Sequence, residues 1–477
     1  MPRGVWRVGG AAGAGHNKWR RVALWWGKTM EQEPVQKKLL SGLFWVLLAN
    51  LLVKPLWILG IEVGVQNAVG NEAYGFYFAV FNVAYILNIL LDLGITNFNT
   101  RNIAQHPQLI GKHLSGILGI KVVLLGVYLL ATFTVGGLLG YGSAEFRLLA
   151  LLTLCQALNS LILYLRSNFE GLLLFRWDSL FSVLDRVLMI VICGCLLWGP
   201  TGIRQSPFRI EHFVYAQLAA YGLTALLALA VIGRRTGLRR VRFDRRFLLV
   251  VLKQSLPFAL LVLLMASYNR LDPILLRRLA GDGAAGVYAG AFRLLDALTM
   301  VGYLVSVPLL PVFARVLKDG SKSQLVDCLR LVFWPMVLFG GGCAVAGLLW
   351  AEPLMGWLYP GRGADYAPVF RVLIFGLLPI GLTYIFGTLL TAGGRLRQLN
   401  LFAATALVLN VGVNLVLIPR LGAVGSAWAS LTAQGFMAVA QLVLAARLYR
   451  LPAAAFRPPL PKDIVRAARL MLHEEQK

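Results

Sequence analysis

Apolar residues run along this chain of 477 residues in long unbroken stretches, not in alternation and not as single helical stripes. Twelve stretches reach the length of about 20 residues that an α-helix needs to cross a bilayer. They fall at roughly 39–61, 74–98, 113–137, 148–165, 177–198, 212–233, 249–269, 286–310, 328–350, 366–391, 399–418 and 423–446. Lipid offers no partners to backbone N–H and C=O groups, so spanning segments must be helices or a closed barrel. Barrel strands need only about 10 alternating residues, so runs of this length predict helices. The pattern predicts an all-α polytopic membrane protein with about twelve transmembrane helices.

Two stretches repeat. GNEAYGFYFAVF at 70–81 and GDGAAGVYAGAF at 281–292 lie 211 positions apart and share Gly70/Gly281, Gly75/Gly286, Tyr77/Tyr288 and Phe81/Phe292. At the same offset Asn82, Tyr85, Asn88 and Asp92 fall on Arg293, Asp296, Thr299 and Tyr303. Steps of three, three and four keep each set on one helix face. The chain therefore reads as two pseudo-symmetric six-helix lobes in a parallel repeat, an arrangement that places a substrate path between the halves. The glycines are expected to permit a tight reversal between the first two spans of each lobe.

The expected organisation is an N-terminal segment 1–37, an N-lobe 38–233, an Arg-rich linker 234–248, a C-lobe 249–447 and a tail 448–477. Residues 1–29 have no apolar core of a secretory signal. They are expected to be disordered, or to precede a true start at Met30. The tail breaks at prolines and then reads as a short amphipathic helix.

Composition agrees with the pattern: 58% hydrophobic, 14% charged, mean hydropathy +0.71. The net charge of +25 would suit nucleic acid if it formed a patch. Instead the basic residues gather in alternate loops. RRTGLRRVRFDRR at 234–246 has seven Arg, whereas IEVGVQNAVGNEAY at 61–74 has two Glu and no Lys or Arg. That bias places both termini in the cytoplasm and argues against a nucleic-acid partner; attraction to anionic membrane lipids follows from it. The five cysteines sit in or beside apolar spans with no CxxC pair, and the five histidines are scattered. Neither set suggests a metal site or another cofactor.

Charge inside hydrocarbon is costly and usually faces a cavity or a partner. Asn50 and Lys54 share one face of the first span; Asn82, Tyr85, Asn88 and Asp92 follow in the second. Asn269, Arg270 and Asp272 end the seventh, and Arg293 and Asp296 lie in the eighth. The candidate substrate-binding residues are Asn50, Lys54, Asn82, Asn88, Arg270 and Arg293. Arg293 and Asp296 equally could neutralise one another. Asp92, Asp272 and Asp296 are candidates to couple transport to Na⁺ or H⁺, although Asp92 and Asp272 could instead pair with Arg101 or Arg270. Asp185, Arg186 and Arg371 lie nearer span ends and are expected to snorkel. The basic bias of Lys54, Arg270 and Arg293 suits an anion such as a phosphate. Pro55, Pro257, Pro308 and Pro311 are expected to interrupt the first, seventh and eighth spans. No P-loop, HExxH or GxSxG motif is present, which argues for a transporter and against an enzyme.

The chain resembles the polysaccharide transporter branch (O-antigen and capsule-unit flippases) of the multidrug/oligosaccharidyl-lipid/polysaccharide exporter superfamily. The resemblance covers roughly 38–450. It is carried by the GxxxxGxYxxxF stretch of each half, DLGITNFNTRNIAQ at 92–105 and FEGLLLFRWD at 169–178. The late stretch 391–431, with Asn410, Asn414, Pro419, Gly422 and Gly425, carries it furthest. It implies a V-shaped, alternating-access bundle in a bacterial inner membrane. The implied cargo is a polyprenyl-pyrophosphate-linked oligosaccharide moved to the outer leaflet for surface polysaccharide or lipopolysaccharide, with polysaccharide-assembly proteins as partners. A multidrug-type cation antiporter of the same superfamily is the alternative. A membrane polymerase or ligase is disfavoured, because such enzymes carry a large external loop and the longest here, near 199–211, is short.

Overall fold

The computed structural model describes residues 52–105, 110–172, 174–200, 207–236 and 259–458. Asn50, Pro257, the segment 1–37, most of the Arg-rich linker and the tail helix expected beyond 458 lie outside the described residues. Among the described residues every regular element is helical. A π-helical turn, Leu56–Glu62, leads into α1 (Val63–Leu87), followed by α2 (Ile95–Gln105), α3 (Ile110–Leu138), α4 (Ser143–Gly171), α5 (Phe175–Trp198) and α6 (Ile210–Thr236). The second half holds α7 (Asp272–Lys318), α8 (Lys322–Leu358), α9 (Gly363–Ile374), α10 (Leu377–Ala392), α11 (Leu396–Leu421) and α12 (Ala423–Tyr449).

Among the described residues ten helical stretches are long and apolar enough to span a membrane. They overlap all twelve expected spans: Leu52–Leu91 covers the described end of the first and most of the second, and Ala259–Lys318 the described end of the seventh and all of the eighth. Within each, one glycine replaces a loop: Gly70 at φ 83°, ψ 172° and Gly281 at φ 89°, ψ 173°. Only glycine adopts that backbone region at low cost. The same elbow recurs at equivalent positions, so the repeat is structural as well as sequential.

The apolar cores mostly follow the lobes, with Ile274 and Ala289 of the second half joining a first-lobe cluster and Val63 joining a second-lobe one. In the first, α1, α4, α5 and α6 enclose one cluster around Tyr77, Met189 and Phe213, and α2 and α3 enclose another around Ile103, Ile117 and Phe169. In the second, α7, α8 and α9 meet around Tyr288, Met355 and Phe370; α8, α10, α11 and α12 meet around Phe313, Phe386 and Met437. The second expected span ends early: α1 gives way to a 3₁₀ turn at Asn88–Leu91, then to Leu93 and Gly94 at positive φ. The proline expectation fails in α7, which continues through 308 and 311 to Lys318.

The lobes meet just past the two elbows, and they meet reciprocally. A Cβ added to Gly75 would overlap the Asp282 carbonyl oxygen, and one added to Gly286 would overlap that of Asn71. Asn71 and Asp282 are themselves equivalent in the repeat. Side-chain bonds surround this crossing. Gln66 Nε2 donates to the Gly286 carbonyl (2.8 Å), Asn67 Nδ2 to the Leu358 carbonyl (2.9 Å), and Tyr366 to Asn71. Arg277, the counterpart of Gln66, bonds Asp282 (2.6 Å) and crosses to Glu145 on α4 (2.8 Å). The elbow face of the molecule is thus shut by backbone contact and a polar lattice.

Candidate functional site

Beneath the elbow contact the lobes part around a cavity of about 420 Å³. Exposure of its facing side chains rises away from the elbows: Arg293 is 6% exposed and Tyr74 3%, whereas Asp296 reaches 48% and Tyr303 53%. The cavity is closed at the elbow face and opens toward the other.

The N-lobe wall comes from α1, whose Tyr74, Tyr77, Phe78, Phe81 and Tyr85 follow the i, i+3, i+4, i+7 pattern of one helix stripe. The opposing wall comes from α7, with Phe292, Arg293, Asp296, Thr299, Met300 and Tyr303. The α1 stripe is thus aromatic, whereas α7 interleaves Arg293, Asp296 and Thr299 with Phe292, Met300 and Tyr303.

Four cations line the cavity: Lys54, Arg186, Arg270 and Arg293. Arg293 sits at its closed end. Its Nε pairs with Glu62 across the lobe boundary (3.1 Å), its Nη1 donates to the Tyr359 hydroxyl (2.8 Å), and its guanidinium lies over the Tyr74 ring. Its Nη2 is buried without a protein partner. Arg270 bonds both oxygens of Asp296 (2.9 and 3.1 Å) between the rings of Tyr85 and Phe292. Arg186 stacks over Trp57 and Tyr221 and lies 3.6 Å from Asp185. Both lining carboxylates, Glu62 and Asp296, are therefore paired to an Arg, and cations outnumber them two to one.

The expected site residues divide accordingly. Lys54, Arg270, Arg293 and Asp296 come together in the cavity. Arg293 and Asp296 do not neutralise each other, because each finds a partner elsewhere. Asn82 and Asn88 are not among the lining residues. Asn82 is fully buried and donates to the Phe78 carbonyl (2.7 Å), while Asn88 donates to Gln156 on α4 (2.9 Å). The aromatic stripe of α1, not its amides, faces the cavity. Asp92 lies at the broken end of the second span, where Lys121 Nζ reaches it (3.3 Å) and also bonds Ser160 (2.9 Å). The pairing alternative for Asp92 is thus met by Lys121. Arg186, expected to snorkel, lines the cavity; Arg371 instead meets Glu352 at 3.4 Å in an exposed pair.

Asp272 lies apart, inside the C-lobe and fully buried. It accepts from Asn410 Nδ2 (2.9 Å), Asn414 Nδ2 (2.8 Å) and the Tyr288 hydroxyl (2.8 Å). The Asn414 Oδ1 beside it is buried and unpartnered. A buried carboxylate held by neutral donors, with a spare carbonyl oxygen next to it, fits a small hard cation or a proton. Among the described residues no His/Cys/Asp/Glu cluster of metal-binding type occurs.

A family profile described as "Polysaccharide biosynthesis protein" matches residues 39–317, more than half of the chain. The chain belongs to that family. It stands in the polysaccharide transporter branch of the superfamily that the sequence resembles. A membrane protein of Methanocaldococcus jannaschii, MJ1375, is 23% identical over 387 residues, 76% of this chain and 87% of that one. The probable lipid II flippase MurJ of Helicobacter pylori is 25% identical over 322 residues, 64% of each. Among solved structures, an inward-facing multidrug resistance MATE family transporter superposes with a TM-score of 0.65 at 16% identity, covering 82% of this chain and 94% of that one. A lipid II flippase MurJ in an inward closed conformation gives 0.63 at 12% identity, covering 90% of both. These likenesses establish the fold: two lobes in a V-shaped transporter bundle.

Proposed function

We propose that this chain is an alternating-access flippase that carries a polyprenyl-pyrophosphate-linked oligosaccharide from the cytoplasmic to the outer leaflet of a bacterial inner membrane, for surface polysaccharide or lipopolysaccharide assembly. The observation that carries this reading is the cationic excess of the inter-lobe cavity, where both lining carboxylates are already paired. Charge-assisted bonds to a pyrophosphate are what such a lining favours. A cation antiporter would need a cavity carboxylate without a neighbouring base.

A second feature supports a lipid-linked cargo. An aliphatic recess of about 390 Å³ lies beside the cavity between the first span and α7, lined by Ile58, Leu59, Leu294, Leu298 and Leu304, with Lys54 and Arg166 among its residues. It shares Lys54, Ile58, Met300 and Tyr303 with the cavity. A chain of isoprene units fits the recess while its phosphates remain at the cations. On this reading the elbow face is the outer one, both termini are cytoplasmic, and the conformation is inward-facing. Asp272 with Asn410 and Asn414 is the site for the coupling Na⁺ or H⁺.

Purified protein in liposomes is expected to translocate a fluorescent polyprenyl-pyrophosphoryl sugar. Reversing charge at both Lys54 and Arg293 is expected to lower the rate more than a hundredfold, since each lost charge-assisted bond costs about 1.5–3 kcal/mol. Unchanged translocation in that variant would sink the basic-cavity mechanism. Export of cationic dyes by the wild type would favour the antiporter.

A further inference from the structure

The cavity has a second chamber of different chemistry. On the C-lobe side a space of about 530 Å³ continues from it, sharing Tyr85, Arg270, Phe292, Asp296, Thr299, Tyr303 and Tyr384. That volume is within the range of roughly 300–1,000 Å³ that holds a drug-sized ligand. Its walls carry four tyrosines and one phenylalanine: Tyr85, Tyr268, Tyr303, Tyr384 and Phe292. Between them stand the short polar groups of Asn269, Asp296, Thr299, Thr383 and Gln434.

Charge separates the two chambers. Lys54, Arg186 and Arg293 line the first and not the second. The one cation they share, Arg270, is neutralised by its two bonds to Asp296 and is sandwiched between aromatic rings about 5.1 Å away on either side. The second chamber is therefore nearly neutral but rich in hydrogen-bonding groups. Asp296 remains 48% exposed, and an ionised carboxylate has about four lone-pair sites, two of which Arg270 occupies. Tyr85 and Tyr303 present partly exposed rings, and Tyr303 meets Tyr384 edge to face at 6.3 Å.

A neutral, polyhydroxylated ring matches that lining. Its C–H face stacks on tyrosine, and its hydroxyls donate to the free lone pairs of Asp296. A pyrophosphate does not match it, because no unpaired cation faces the chamber among its lining residues. An organic cation finds no unpaired carboxylate there, because Asp296 is already paired to Arg270. We propose that this C-lobe chamber is the sugar-binding compartment, with Tyr85, Tyr303, Tyr384 and Asp296 setting sugar specificity while Lys54, Arg186 and Arg293 hold the phosphates. This rests on the flippase reading.

The test compares two kinds of soluble probe on purified full-length protein by calorimetry. One is farnesyl pyrophosphate. The others are farnesyl-pyrophosphoryl glucose, galactose and N-acetylglucosamine. At least one sugar-bearing probe is expected to bind tighter than the sugar-free one. Tyr303→Ala with Tyr384→Ala, and separately Asp296→Asn, should abolish the affinity ratio between sugar-bearing and sugar-free probes, about tenfold for a stacked ring pair; Asp296→Asn, which frees Arg270, should at the same time tighten farnesyl pyrophosphate itself. Tyr303→Phe with Tyr384→Phe keeps the rings and should retain most of that ratio, which separates a sugar contact from a folding defect. Lys54→Gln with Arg293→Gln should weaken all probes alike. If none of the sugars adds affinity, or the chamber variants weaken every probe equally, the compartment is overturned while the flippase reading stands. If no pyrophosphate probe binds and a cationic dye does, both fall.

Discussion

Arg293 ties the lobes together through one guanidinium, with Glu62 on one side, Tyr359 on the other and a buried Nη2 that has no protein partner. A phosphate that takes Nη2 must share the cation with Glu62, so anion binding loosens the cross-lobe pair. Glu62→Gln removes the competitor. It should tighten farnesyl pyrophosphate binding by about tenfold, the scale of a close, partly desolvated charge pair, as read by calorimetry; weaker binding would show that Glu62 positions Arg293 and does not compete for it. Asp272→Asn makes the complementary change in the C-lobe. It keeps the side-chain shape among Asn410, Asn414 and Tyr288 but removes the negative charge. Translocation in liposomes should then stop responding to an imposed Na⁺ or proton gradient, with melting temperature little altered. A variant that stays gradient-driven would move the coupling site elsewhere. Much at this scale was legible beforehand: a charge such as Lys54 in mid-span has nowhere cheap to go but a cavity. Arg186 was not, because the adjacent Asp185 and a nearby span end offered a cheaper account than burial between Trp57 and Tyr221. The face of α1 was misjudged too, since amides look more functional than rings. The series Tyr74, Tyr77, Phe78, Phe81 and Tyr85 was the signal that could have found it.

At the scale of elements, α1 and α7 do the same thing twice. Each turns at a glycine of positive φ, and five residues later each uses a second glycine to let the other lobe's backbone approach. The repeated glycines could be read from sequence, but their two roles could not. A tight turn and a backbone crossing both call for a missing Cβ, and only the relative placement of the lobes separates them. The crossing yields a directional prediction. Gly75→Ala and Gly286→Ala insert a methyl group where a carbonyl oxygen sits, an overpacking cost of about 1–3 kcal/mol. That cost falls only on the state with the elbow face closed. An Ala285→Cys reporter, buried at the crossing in the closed state, should react with a membrane-impermeant maleimide about tenfold faster in either background. Gly60→Ala, with nothing near its Cβ, is the control that should leave the rate alone. Equal labelling in all three would mean that the crossing does not hold the elbow shut.

For the whole molecule, the question is whether the lobes must part at the elbow face for cargo to cross. The cavity is sealed there by the glycine crossing, by Gln66 and Asn67 reaching the second lobe, and by Arg277 reaching back to Glu145. The Arg277–Glu145 pair is only partly buried, and such pairs are worth little alone, about 0.2–1 kcal/mol. The seal is therefore many weak bonds around one steric contact, which suits a gate that must open. A covalent bond at the same place should stop it. Asn67→Cys and Leu358→Cys, in a background with the five native cysteines replaced, put thiols at two positions joined by an inter-lobe hydrogen bond of 2.9 Å. Bridging them with a short, reducible cross-linker should leave farnesyl pyrophosphate binding intact, because the cavity opens on the opposite face. Translocation should fall to background and return on reduction. Rocking about a fixed site demands both results, since binding requires only the state seen here and transport requires its opposite. Translocation that survives the bridge would mean that the cargo passes beside the lobes, along the aliphatic recess between the first span and α7, without the elbow face ever opening.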